Sequence, residues 1–188
     1  ISQLGDWLSY VAVSLLSVSS GEGGVALAFT FIAHSLPNTL TAPWAGRVAD
    51  RFDRRKVLIS AYAASALLTV LMCVAAHEGA VWWLQALLFV RAGLSAFGNT
   101  ARQAATPSVV TRGELYTANA LVSLIWSTLF TAGVALGGVL TALLGPTEAI
   151  AIDALTFFAS IAAVWGLPKL TPNSPPLYEA REREVVEL

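Results

Sequence analysis

Charge is scarce in this 188-residue chain: 12% of its residues are Asp, Glu, Lys or Arg, where an ordinary soluble domain carries roughly 25%. Cysteine is nearly absent. The one present, Cys73, sits inside an apolar run, which excludes an internal disulfide and a cysteine-based metal cluster. The two histidines, His34 and His77, fall in different apolar runs without ligand spacing, so no metal site is expected. H-E-x-x-H, G-x-x-x-x-G-K-[ST] and G-x-S-x-G are all missing. With them go the parts for zinc proteolysis, nucleotide-driven pumping and common hydrolase chemistry, and we expect neither enzymatic activity nor a cofactor. A net charge of -1, with its basic residues sorted by loop rather than gathered on a face, also argues against nucleic acid as a partner. No A-x-A-like cleavage site follows the first apolar run, so no secretory signal peptide is expected, and the initial Ile1 reads as a trimmed start.

What fills the chain instead is apolar: 56% of residues are hydrophobic and the mean hydropathy is +0.67. Val57 to Ala76 holds no ionisable group except Tyr62 and Cys73, and Leu115 to Thr147 holds no Asp, Glu, Lys or Arg. A bilayer span requires ~20 such residues. The pattern predicts six spans, at about Gln3–Ser20, Val25–Arg47, Val57–His77, Val81–Arg102, Leu115–Leu144 and Glu148–Leu167. The fold class is therefore an all-α membrane protein whose partner along most of its surface is the lipid bilayer.

The loops alternate in charge. Arg47, Arg51, Arg54, Arg55 and Lys56 join spans two and three, Arg102 and Arg112 join four and five, and Lys169, Arg181 and Arg183 follow span six. The turns around Gly21-Glu22-Gly23, His77-Glu78-Gly79 and Gly145 to Glu148 contain no Lys or Arg. The positive-inside rule then predicts a multi-pass protein of the cell membrane with both ends of this segment in the cytoplasm. Thr111-Arg112-Gly113-Glu114 fits a capping box ahead of Leu115. Past Leu167, Pro168, Pro172, Pro175 and Pro176 punctuate a polar segment. We accordingly divide the chain into a six-helix transmembrane domain, 1–167, and a cytoplasmic linker running into the start of an interdomain helix, 168–188. No sequence repeat between spans one to three and four to six is evident, and diverged inverted repeats leave none to see.

Charges within spans are informative because each costs roughly 2.5 to 3.5 kcal/mol at a helix centre on insertion scales. Arg91 lies ten residues into span four, about 15 Å deep at ~1.5 Å per residue and so near the middle of a ~30 Å core. Arg91, Ser95, Asn99 and Arg102 share a helical face, which predicts that this face turns toward a watery cavity. Asp153 in span six has two readings, as an ion-pair partner of Arg91 or as a proton-carrying carboxylate. Asp6, near the inner end of span one, either takes part in coupling or meets water at the helix start. His34 shares a face with Thr30, Asn38 and Thr41, as a packing residue or as a pH-sensitive group in a cavity. Pro37 and Pro43 predict a bend in span two.

The stretch GRVADRFDRRK, Gly46 to Lys56, is expected to be a loop at the membrane surface. Its spacing resembles the G-x-x-x-D-[RK]-x-G-R-[RK] loop between helices two and three of major facilitator superfamily transporters, matched at Gly46, Asp50, Arg51, Arg54 and Arg55, with Asp53 in place of the second Gly. Asp50 is placed to pair with Arg54 if the helix persists that far. The form DRFDRRK is similar to the enterobactin exporter-like branch. So are Leu4-Gly5-Asp6, the segment ARQAATPSVVTRGELYTANAL and Ala151-Ile152-Asp153-Ala154-Leu155, so that the resemblance covers nearly the whole chain. Gly133-Val134-Ala135-Leu136-Gly137-Gly138 resembles the family's G-P-x-L-G-G element, associated with antiporters, with Val134 where the proline stands. Its glycines read either as close helix packing or as part of gating.

The resemblance implies one half of a major facilitator bundle, the amino-terminal one, which pairs with a second six-helix half from the same chain. It further implies proton-coupled export of a small molecule such as a drug or siderophore by alternating access. Arg91, Asp153, Asp6, His34 and Asn38 would contact substrate or coupling ion, and Gly46 to Arg55 would form the cytoplasmic gate. The rival reading is a truncated, non-transporting membrane interaction module, or a half-sized transporter acting as a homodimer.

Overall fold

The computed structural model describes residues 2–21, 23–105 and 115–166. Among these, the chain forms six helices and no strand: α1 Ser2–Ser19, α2 Gly23–Arg51, α3 Arg54–His77, α4 Val81–Ala105, α5 Leu115–Leu144 and α6 Pro146–Trp165. All but α1 are long and apolar enough to cross a bilayer. α1 is expected to span as well but falls short on apolarity, because its 18 residues include Gln3, Asp6 and several scattered serines. The capping box at 111–114, Arg112, and the whole of the 168–188 linker lie outside the described residues.

The surface loop expected between spans two and three is a correction. Only Phe52 and Asp53 separate α2 from α3. Gly46, Asp50 and Arg51 belong to the last turns of α2, and Arg54 and Arg55 open α3. A helix keeps its hydrogen bonds after it leaves the apolar layer, so polar residues do not end it. What marks the break is a local signal for the next helix: the Asp53 carboxylate accepts the Arg55 backbone N–H at 3.0 Å, capping the start of α3. Asp53, a departure from the family's glycine, is thus an N-cap. Since α2 stops at Arg51, Asp50 and Arg54 do not sit one turn apart on a single helix.

At the other end of α3 the chain reverses through Gly79, at φ +68°. Gly79 N–H donates to the Ala76 carbonyl at 3.2 Å and Ala80 N–H to that of Ala75 at 2.9 Å, which satisfies carbonyls that the helix end would leave open. α2 stays helical across both Pro37 and Pro43.

Helix packing reveals an order that the sequence hides. α1 packs on α5 and α6 as α4 packs on α2 and α3, and α3 meets α6. Exchanging α1–α3 for α4–α6 maps these contacts onto one another, as an inverted repeat of three helices requires. Buried Ala12, Val13, Met72, Leu84, Leu88 and Ile150 form the main core, and Ala49, Val57, Leu58 and Ala101 a second cluster toward the α2–α3 turn.

Small residues let α1 approach both of its neighbours. A Cβ added at Gly133 would stand 2.6 Å from Trp7 Cβ and 3.2 Å from the Leu4 carbonyl; one at Gly137 would stand 3.1 Å from Val11 Cβ. On the opposite side of α1, a Cβ at Gly5 would collide with the Asp153 and Thr156 side chains. Gly138 was expected to share in this packing and does not: nothing lies within 4 Å of its added Cβ, because it points away from α1.

Two outcomes are expected. Gly133→Val, which forces backbone as well as side chains apart, should destabilise the detergent-solubilised protein by about 1–3 kcal/mol, whereas Gly138→Ala should change thermal stability little. Equal melting temperatures for the two variants would contradict this packing. In a Cys73→Ser background, Lys56→Cys should label only from the cytoplasmic side and Glu78→Cys only from outside; the reverse pattern would invert the topology.

Candidate functional site

The middle of the bundle is built around Arg91. Its guanidinium is 2% exposed, at the centre of α4, and lipid cannot solvate it. Three neighbouring helices supply what it lacks. Nη1 donates to Thr69 Oγ1 on α3 at 3.0 Å and to Asp153 Oδ2 on α6, while Nη2 stands 3.4 Å from Asp6 Oδ1 on α1. The group also lies 5.8 Å above the Phe157 ring, where the π face favours a cation.

Asp153 is fully buried and well supplied. Besides Arg91, it accepts from the Ser9 hydroxyl, and Thr156 Oγ1 lies 3.3 Å from its second oxygen. Helical spacing explains the set: Asp6 and Ser9, and Asp153 and Thr156, are each three positions apart and so share a face. Gly5 presents no side chain between α1 and α6, which is how Ser9 reaches the carboxylate. Asp6 differs from Asp153 in being 24% exposed. Of the three charges it is the most exposed, and it lines the cavity beside Arg91.

That cavity has a volume of about 360 Å³. Asp6, Arg91, Ser95 and Asn99 line it, together with Trp7, His34, Asn38 and Trp126. The face of α4 carrying Arg91, Ser95 and Asn99 therefore turns to a cavity, and Arg102 donates to Asn99 Oδ1 at 3.1 Å from the next turn. His34 and Asn38 reach the cavity together. Thr30 and Thr41 do not: Thr30 packs in a buried network with Ser17 and Gln85, and Thr41 donates to the Gly93 carbonyl at 3.0 Å. Asp153 lies behind Arg91 rather than on the cavity wall.

Sequence reasoning missed the aromatic half of this site. Trp7 packs edge-on to Phe130, with ring centroids 4.6 Å apart, and Phe130 stacks on Trp126 with ring planes 4° apart. His34 sits 5.2 Å from Trp7 and 4.7 Å from Tyr10. These rings come from α1, α2 and α5; the four-residue step from Trp126 to Phe130 puts those two on one helical face, but no spacing within one helix announces their meeting with Trp7 and His34. Ser9 and Thr69 were missed for another reason: a hydroxyl is nearly silent in hydropathy, although Ser9 follows Asp6 at the interval that shares a face.

Gly46, Asp50, Arg51, Arg54 and Arg55 gather elsewhere, at the end of the bundle where α2 turns into α3. There an Arg55 Nη2–H donates to the Trp165 carbonyl at the last turn of α6, where a cation meets the negative end of the helix dipole. Gly46 faces open space and Asp50 and Arg51 are exposed. Among the described residues, no group of three or more His, Cys, Asp or Glu is arranged to hold a metal ion.

Apolar helices wrapped around a buried charge cluster, with a polar and aromatic cavity beside it, define a multi-pass membrane bundle of the transporter type. The profile of the transmembrane secretion effector family matches residues 1–185, and the chain belongs to that family, within the major facilitator superfamily. It is 30% identical over 170 residues to an uncharacterized MFS-type transporter, YfiS, of Bacillus subtilis (strain 168), covering 90% of this chain and 40% of that one. It is 23% identical over 161 residues to the staphyloferrin A transporter of Staphylococcus aureus (strain NCTC 8325 / PS 47), covering 84% of this chain and 41% of that one. The chain thus spans about 40% of the length of these curated relatives.

Removing one partner of a buried ion pair strands the other, at a cost of about 3–5 kcal/mol. Asp153→Ala alone should therefore destabilise strongly, and the Arg91→Met/Asp153→Ala double variant should lose less than the sum of the two single variants. Strict additivity in thermal unfolding of the purified protein would show that the pair is not coupled.

Proposed function

We propose that these residues are the amino-terminal half of a secondary active transporter that couples proton movement to export of a small molecule, drug-like or siderophore-like. The observation that carries this reading is the Asp6–Arg91–Asp153 cluster beside a mid-bundle cavity. A guanidinium held by two carboxylates from different helices has two arrangements available, one with both carboxylates engaged and one with a carboxylate protonated and released. Rocking of two halves around a central site needs an element whose contacts change with ion occupancy. α1 and α4 carry the charges on the cavity wall, so a change in their pairing acts on the walls of the solute path.

In this reading Asp153 with Arg91 forms the coupling pair, and Asp6 is the carboxylate that meets the cavity. The α2–α3 turn, with Arg55 tied to the end of α6, lies at the cytoplasmic gate. A small-molecule substrate and a second six-helix half complete the site. The name of the staphylococcal relative, a staphyloferrin A transporter, makes siderophores the first compounds to try.

The test uses the full-length protein in proteoliposomes with an imposed pH gradient. Arg91→Ala and Asp153→Asn should lower gradient-driven accumulation of a transported siderophore or drug at least about tenfold, corresponding to ~1.4 kcal/mol. Asp153→Asn should retain exchange of labelled for unlabelled solute, which needs no net proton movement. Unchanged gradient-driven transport in both variants, with normal protein levels, would remove the charge cluster from the mechanism.

A further inference from the structure

We propose that one water molecule, held beside Asp6 by Ser65, Ser95 and Asn99 on the α3–α6 side of the α1–α4 seam, carries the proton to and from that carboxylate. The proposal deepens the transport reading and rests on it: solute meets Asp6 from one side and the proton from the other.

A second, small cavity lies within the bundle, with about 10 Å³ open to the centre of a water molecule, close to the room that one water needs. Tyr62 and Ser65 of α3 and Phe157 of α6 line it, with Asp6 of α1 and Ser95 and Asn99 of α4. The large cavity draws instead on α2 and α5, through His34, Asn38 and Trp126. Gln3, Asp6, Ser95 and Asn99 line both, so α1 and α4 form the partition and Asp6 is open on two sides. The small cavity is too tight for a solute, and a solute in the large one leaves it to water.

A buried water is retained by roughly two to four polar partners. Ser65 is 1% exposed and lines the small cavity, and among the described residues its hydroxyl has no partner. The hydroxyls on either side of it along α3, those of Ser60 and Thr69, donate to the carbonyls of Val57 and Ser65. A buried hydroxyl without a partner is costly, and a water in this cavity supplies one. The Ser95 hydroxyl adds a second contact, and Asn99, whose Oδ1 accepts from Arg102, keeps its amide N–H groups to donate. Asp6 meets Arg91 through Oδ1, which leaves Oδ2 for a further donor.

Around Asp6 stand Arg91 and Arg102 on α4, Asp153 on α6, His34 on α2 and Tyr62 on α3; among the described residues, α5 brings no titratable group to either cavity. Two guanidiniums against two carboxylates balance while both carboxylates are ionised. A proton on Asp6 leaves one positive charge in excess and weakens its hold on Arg91. In the transfer, an O–H bond of the water breaks as the Asp6 O–H bond forms. The water takes a replacement proton from the Tyr62 hydroxyl, which regains one from solvent at the α2–α3 end, and release reverses the order. Tyr62 suits that post because it lines the small cavity and also packs against the apolar cluster toward that turn.

Infrared difference spectra of the full-length protein in proteoliposomes, taken between high and low pH in ordinary and heavy-oxygen water, read the water directly. A water O–H band that shifts with the oxygen isotope should appear in the wild type. It should vanish in Asp6→Asn and in Ser65→Val, which fills the cavity and removes the hydroxyl. Asn38→Ala, which alters only the large cavity, should leave it in place. No such band in the wild type, a band surviving Ser65→Val, or one lost in Asn38→Ala would each overturn the proposal. If Ser65→Val does not fold, Ser65→Ala replaces it: the space stays, one partner goes and the band should move to higher frequency, an unmoved band counting against the site. Ser65→Val and Tyr62→Phe should also slow gradient-driven accumulation of a siderophore or drug at least about tenfold, and wild-type rates in both would remove the proton-carrying role. The two readings fail separately. The expected band pattern in a protein that moves no solute leaves the water site standing and ends the transport reading. Gradient-driven transport without the band leaves transport standing and ends the water site.

Discussion

An arginine at the centre of an apolar helix cannot be left to lipid, and in this bundle that single requirement organises three other helices. α3 brings Thr69, α6 brings Asp153 and α1 brings Asp6 to one guanidinium. The glycines then follow. For Ser9 to reach Asp153, α1 must lie almost against α6, which is possible only with Gly5 at the crossing. With α1 drawn in on that side, α5 closes behind it through Gly133 and Gly137. The apolar core fills around this frame; charge satisfaction sets where the helices cross, and close packing of small side chains makes the crossings possible.

The same frame gives the cavity two unlike kinds of lining, polar or charged and aromatic. Buried behind hydroxyls and carboxylates, Arg91 stabilises the site while presenting little of itself to a solute. Asp6 and the aromatic rings are more open to the cavity. A residue of high insertion cost is therefore not automatically the most exposed group of its cavity. Here burial and exposure divide between neighbours in one ion-pair cluster, and it is the partial exposure of Asp6 that separates it from Arg91.

Much of this architecture was legible in the residue order. Long apolar runs placed the helices within a few residues, because the apolar layer of a membrane sets a minimum length that sequence satisfies visibly. Arg91 and Asp153 stood out as charges where charge is costly. The α2–α3 turn is shorter than the loop expected over Gly46–Lys56, since α2 continues past its apolar stretch to Arg51 and α3 begins at once behind the Asp53 cap. The aromatic wall was illegible because its members come from α1, α2 and α5 and meet only after folding. Gly138, adjacent to a packing glycine in sequence, points the other way because neighbours on a helix are ~100° apart around its axis.

Order of synthesis gives the crossing of α1 a further meaning. Ser9 and its acceptor Asp153 are separated by 144 positions, and the grooves that receive α1 belong to α5 and α6. A ribosome delivers α1 before any of them. This is also the helix with too little apolar character to be counted among the spans by composition. Its residence in the bilayer is secured late, by partners still to be translated, so the earliest helix of this segment is among the last to be locked in place.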